Sequence, residues 1–303
     1  MSDYAGAAQL IERSAAAFAG GIPEQPADDG FFGPVSVAWR ISGDLTAPVA
    51  GLRALIIQAL HPLAMAGVDQ HSNWRADPVG RLAATSGYLS TITFGERASA
   101  ERAAARVRRI HERVTGLDSE TGQEYSASDP ALLLWVHAVL VDSNLAAREI
   151  LGVPLTPDDA DRYIEEMVVA AELVGVPAAL VPDSAAALTR YLAWVRPQLR
   201  RTPAAEQSAA YLLDPPGLDE EVAQIWQDIR EAVLICLPDW ARQLYGFAAP
   251  ELTGRRREEI RQALGVLDAV FLGEPGVLEA RQRITLRMRA HAARPPGPVA
   301  AHA

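Results

Sequence analysis

The sequence predicts an all-α protein, a single large helical bundle, on three observations. Apolar residues recur at helical spacing along most of the chain. Ala, Leu, Arg and Glu, all good helix formers, fill those segments. No run sustains the polar–apolar alternation of a half-buried strand. Breakers and caps divide the chain into helices expected over 3–19, 47–60, 62–70, 78–94, 97–115, 129–151, 157–174, 184–200, 219–236, 254–272 and 276–292.

Three starts have the clearest capping chemistry. Asp77-Pro78, Asp129-Pro130 and Thr156-Pro157 each put a side-chain acceptor at the cap and proline in the first turn. Residues 20–32 and 294–303 are rich in Gly, Pro and Ala without periodicity, so they read as a surface loop and a mobile tail. The stretch 202–217, with three prolines, reads as a break between a front and a back bundle, a crossing loop within one domain spanning 1–303. Arg281, Arg283, Arg287 and Arg289 are spaced too irregularly for one narrow stripe and read as a solvated face.

Composition narrows the function. The chain of 303 residues is long enough for a large core, and 22% charged residues are ordinary for a globular protein. A net charge of −10 argues against a sequence-independent grip on nucleic acid. All 28 basic residues are arginine, which excludes a Schiff-base lysine and a P-loop. Cys236 is the only cysteine, so neither a disulfide nor a thiolate cluster can form within the chain; in an apolar segment it reads as an inert buried thiol. Residues 1–18 lack the pattern of a secretory signal, and no stretch reaches roughly 18 consecutive apolar residues. The expectation is a cytoplasmic protein without a membrane span; a homodimer is allowed.

The helix beginning at Asp129 carries the strongest chemical signal. Residues 131–141 read ALLLWVHAVLV, apolar all round except for His137. A helix without a polar face is buried, and an unpartnered imidazole there would cost on the order of 1–3 kcal/mol. His137 is therefore either a core histidine satisfied by a carbonyl or hydroxyl, or a neutral ligand to a metal or haem iron. A second cluster, residues 58–85, gathers His61, His71, Arg75, Arg81 and Thr85. Arg81 and Thr85, four apart, share a helical face. Arg81 is either half of a surface ion pair or a fixed positive charge toward a cofactor propionate or oxygen. Ten residues between His61 and His71 is not a ligand spacing on one helix. Trp135, Trp194, Trp226 and Trp240 read as core fillers.

Together with FFGPVSVAW at 31–39, the HP-to-HS block with DP and RxxxT after it, FG at Phe94-Gly95, LLWVHAVLVDS and LPDWARQLYG, this order of blocks resembles the MpaB and rubber oxygenase (latex clearing protein) catalytic-domain family. The resemblance runs from about Phe31 to Gly246. It implies a helical protein with a globin-like core and a haem b, His137 as axial ligand, and Arg81 and Thr85 beside the distal pocket. It also implies an oxygenase using dioxygen on an apolar, isoprenoid or otherwise unsaturated small molecule. His61 and His71 would contact the haem or line its pocket. The rubber-cleaving members carry a lysine where this chain has Ala84, and they are secreted, so polymer cleavage is not the expected activity.

Other readings stay beside this one. One is a non-catalytic haem carrier or gas sensor, the other a haem-free helical ligand-binding protein in which His137 is a core residue. Dinucleotide, nucleophile-elbow, zinc-protease and carboxylate di-iron signatures are all missing from the sequence.

Overall fold

The computed structural model describes residues 5–218, 220–248 and 250–293, so the expected tail at 294–303 lies outside the described residues. Six helices come first: α1 (Ala5–Gly20), α2 (Val37–Ile41), α3 (Ala47–Gln58), α4 (Pro62–His71), α5 (Pro78–Phe94) and α6 (Arg97–His111). A small antiparallel hairpin follows, β1 (Thr115–Leu117) with β2 (Glu124–Ser126). Then come α7 (Pro130–Ile150), α8 (Pro157–Val174), α9 (Ala185–Val195), α10 (Pro203–Leu213), α11 (Glu220–Cys236), α12 (Asp239–Tyr245), α13 (Gly254–Gly273) and α14 (Val277–Ala292). The fold is all-α, as expected.

The three proline-led starts are made as their chemistry dictates. Asp77 accepts from the Gly80 amide at 2.9 Å, Asp129 from Ala131 at 2.8 Å and Thr156 from Asp159 at 3.2 Å, each satisfying an amide that the helix leaves unpaired. The loop after α1 stays irregular through Pro34. Four elements depart from the sequence expectation. The helix expected to reach 115 ends at His111, because residues 115–117 pair with 124–126. Residues 203–213 form α10 rather than a loop: Thr202 caps it, with Pro203 at its first position. Helices α2 and α12 are too short for periodicity to show. The first is capped by Ser36, whose hydroxyl accepts from the Trp39 amide at 3.0 Å, and Glu166 of α8 accepts from the Val37 and Ala38 amides at 3.1 and 2.9 Å.

Helix α7 is the axis of the fold. Trp135, Val139 and Ala147 face a core shared with α3, α10, α11, α12 and α13. Ala138 and Val141 face a second core built by α2, α5, α6, α8 and α9. Arg53 of α3, almost fully buried, ties the first layer to α7 and α11. It donates to the Cys236 carbonyl at 2.8 Å and to Ser143 Oγ at 2.7 Å, and pairs with Asp142 at 2.8 Å. By length and composition α7 is the one single helix among the described residues apolar enough to cross a bilayer, and here it packs on α3, α8, α9 and α11.

The late arginines dock α14 instead of forming a solvated face. Arg281 pairs with Asp268 and donates to the Gly43 carbonyl, Arg283 donates to Ile22, and Arg287 donates to Phe94 and lies 4.5 Å over the Trp39 ring; only Arg289 is exposed. Sequence spacing cannot show which partners lie opposite. Trp194 is likewise not a core filler: it is 66% exposed, whereas Trp135 is 1% exposed.

Candidate functional site

His137 sits one turn after Leu133 and one before Val141, at the border between the buried and open sides of α7. Its ring is buried, makes no hydrogen bond among the described residues, and is pushed down to about 4 by burial alone. The imidazole is thus neutral at physiological pH, with a lone pair free to coordinate. Beside it the helix opens: Val136 is 41% exposed although both its neighbours are buried, and Leu140 is half-buried. An exposed valine inside this apolar stretch leaves that side of α7 open.

Helix α5 packs chiefly on α1 and α6. Its Gly80, Gly87 and Ser90 pack on α1: a Cβ at Gly87 would sit 3.2 Å from that of Ala17, and Ser90 donates to the Phe18 carbonyl at 2.7 Å. The face turned away from α1 therefore carries Arg81, Ala84, Thr85 and Tyr88, at i, i+3, i+4 and i+7. Ala84 and Thr85 are exposed, while Arg81 is partly buried. Arg81 donates to Ser72 Oγ, and burial lowers its basicity. The Thr85 hydroxyl donates to its own helix, to the Arg81 carbonyl at 3.0 Å.

Tyr88 and Leu89 pack against the second core, to which α2, α5, α6, α7, α8 and α9 all contribute. Arg108 of α6 donates to the Leu173 carbonyl, and its Cδ and Leu133 Cδ1 would each lie 3.9 Å from a Cβ at Gly175. The Tyr88 hydroxyl and His111 Nδ1 are buried without a partner. Burial raises Tyr88 to about 12, with Arg108 pulling it back, and lowers His111. Sequence reading passed over both residues, although Tyr88 stands seven after Arg81 on the same face.

The remaining candidates lie apart. His61 caps the bend between α3 and α4, its ring 6.1 Å from that of Trp135 on the other side of α7. Its Nδ1 is buried and unpartnered, and burial lowers its pKa against the pull of Asp129. His71 is roughly 15 Å further along α4. There its Nε2 sits 3.0 Å from the Thr115 carbonyl and its ring meets Tyr125 edge-on. Cys236 is buried and its thiol is raised to about 11 by burial, so it is no thiolate ligand. Two cavities lie elsewhere: an open groove of about 730 Å³ beside Asp214, Trp226 and Arg230, and one of about 240 Å³ between Arg53 and Trp240. His137 lines neither.

Among the described residues no three His, Cys, Asp or Glu side chains converge to hold a bare metal ion. A metal at His137 would therefore take its other ligands from a cofactor. A neutral, unpartnered imidazole on an apolar stretch of helix, with an exposed valine beside it, fits a haem b. Searches of curated proteins and of solved structures found no match. The family model described as "ER-bound oxygenase mpaB/B'/Rubber oxygenase, catalytic domain" matches residues 39–269, which takes in α3 to α12 with His61, His71, Arg81, Thr85 and His137. The chain belongs to this family of oxygenase catalytic domains.

Proposed function

We propose that the protein is a haem b-dependent oxygenase acting with dioxygen on a small apolar, unsaturated substrate such as a terpenoid or another lipid-like alkene, in the cytoplasm. The observation that carries this reading is His137, a buried, neutral imidazole without a hydrogen bond in the middle of an apolar helix. Bound there, the haem would supply the oxygen chemistry. The protein's part follows from its own residues. His137 would hold the haem iron through a ring nitrogen, and its low basicity keeps that nitrogen unprotonated well below pH 7. Leu133, Val136 and Leu140 offer apolar walls that suit a porphyrin face and an apolar substrate and exclude water. Arg81 provides a fixed cation toward the carboxylates of the cofactor, steadied by Ser72. Thr85 lies one turn further along the same face as a polar positioning group. His61, with its unpartnered Nδ1, is the better placed of the two remaining histidines for a cofactor contact; His71 has its Nε2 at Thr115.

The test is the absorption spectrum of the protein expressed with a haem precursor, as isolated and after dithionite and carbon monoxide. A Soret band that shifts in both steps, and is lost in His137→Ala with the helical circular dichroism intact, is expected. A chain that stays colourless with added haem, or a His137→Ala variant with an unchanged iron spectrum, refutes the assignment.

A further inference from the structure

Helix α6 carries a charge pattern that the oxygenase reading leaves unused. Arg102, Arg106 and Arg109, with Arg113 in the turn that continues the helix, stand at i, i+4, i+7 and i+11, so their side chains form one stripe. The stripe is the outer face: Ala100 and Ala104 are buried on the other side, whereas these arginines are exposed. Arg281, Arg283 and Arg287 of α14 find an acid or carbonyls. Here Arg102 reaches Ser99 Oγ of its own helix at 2.9 Å, and Arg106, Arg109 and Arg113 make no hydrogen bond or ion pair among the described residues. Within residues 97–113 the acids are Glu101 and Glu112, which stand off one edge of the stripe. Ile110, 52% exposed, stands off the other edge, four residues after Arg106 and three before Arg113. Protein partners are held chiefly through buried aromatic and arginine anchors, and residues 97–113 contain no Phe, Tyr or Trp. Arginines beside an exposed aliphatic side chain match instead the face of a helix lying on an anionic bilayer, where guanidiniums meet head groups and the apolar chain enters the acyl boundary. The net charge of −10 does not oppose this, because at a Debye length of about 10 Å only charges close to the surface are felt.

We propose that this face of α6 docks the protein on an anionic lipid bilayer, with Arg102, Arg106, Arg109 and Arg113 on the head groups and Ile110 seated beside them. The proposal is independent of the haem reading. Full-length protein, as purified, is sedimented with sucrose-loaded vesicles of phosphatidylcholine alone, or of phosphatidylcholine with one third phosphatidylglycerol. Binding is expected to the anionic vesicles only, with release at about 0.5 M salt, where screening is short-ranged. Each arginine near such a surface strengthens binding about 5-fold, so Arg106→Gln/Arg109→Gln/Arg113→Gln should bind about 100-fold more weakly. Ile110→Ser should bind about 5-fold more weakly. The matched control is Arg190→Gln/Arg200→Gln/Arg289→Gln, which removes the same charge from exposed side chains on other elements and should bind as wild type does. Both arginine variants are expected to keep the wild-type circular dichroism, since the replaced side chains have no ion pair among the described residues to lose. Full binding by the α6 variant overturns the site, and so does an equal loss in the control, which would reduce the effect to total charge. Equal binding to both kinds of vesicle overturns the electrostatic grip, and unchanged binding by Ile110→Ser overturns the seated isoleucine. A wild-type chain that binds neither vesicle overturns the docking and turns the search to an acidic protein surface.

Discussion

Replacing His137 with leucine in the haem-free protein tests the reading of that residue through stability alone. Burial holds the folded-state pKa at about 4, against 6.5 when exposed. Protonation therefore favours the unfolded chain, and the stability due to the neutral imidazole is present above pH 6.5 and lost as pH falls toward 4. At pH 5 the two pKa values make the unfolded chain about 30-fold more competent to bind the proton, which is about 2 kcal/mol; at pH 8 the same quantity is close to zero. Because the imidazole makes no hydrogen bond, leucine forfeits none. Urea unfolding of both proteins at pH 8 and pH 5 is the assay. His137→Leu should lie within about 1 kcal/mol of wild type at pH 8 and gain about 2 kcal/mol on it by pH 5. The contributions of His61 and His111, also lowered by burial, cancel between the two proteins. Parallel loss of stability in both would mean that His137 is solvated or charged in the fold, and the argument for a free neutral ligand would fall.

Two other substitutions and reagents read the frame of the site. Arg53→Met leaves the Asp142 carboxylate without its cation and should cost about 3 kcal/mol in urea unfolding, a loss that Asp142→Asn in the same chain partly restores. Cys236, buried with its thiol raised to about 11, should react with a thiol-specific disulfide reagent at pH 7.5 only in denaturant; prompt labelling of the native protein would contradict its burial.

Sequence carries the fold wherever the information is local. Asp77, Asp129 and Thr156, each followed by proline, mark helix starts that the structure makes with those same side chains. It fails where partners are distant. The Val37 and Ala38 amides of α2 find Glu166, more than a hundred residues away, and the arginines of α14 find carbonyls of Ile22, Gly43 and Phe94, so no window along the chain could assign them. The site divides in the same way. His137 stands out because one polar residue interrupts an apolar helix, and the spacing of Arg81 and Thr85 puts them on one face. Tyr88 does not stand out, because an aromatic at helical spacing reads as core; only its buried hydroxyl without a hydrogen-bond partner distinguishes it.

Arg53 never meets His137, yet it governs where that ring points. Asp142 and Ser143, which it grips, lie little more than a turn beyond the histidine on the same rigid helix, and the Cys236 carbonyl anchors the guanidinium to α11. At the other end Gln58 binds the Val136 carbonyl and receives the Trp135 indole proton. Rolling α7 about its own axis, the motion that would turn the imidazole away, would break both sets of bonds together. The bearing of the ring is thus locked from the back of the helix, so a change in α3 should be read at His137 before it is read anywhere else.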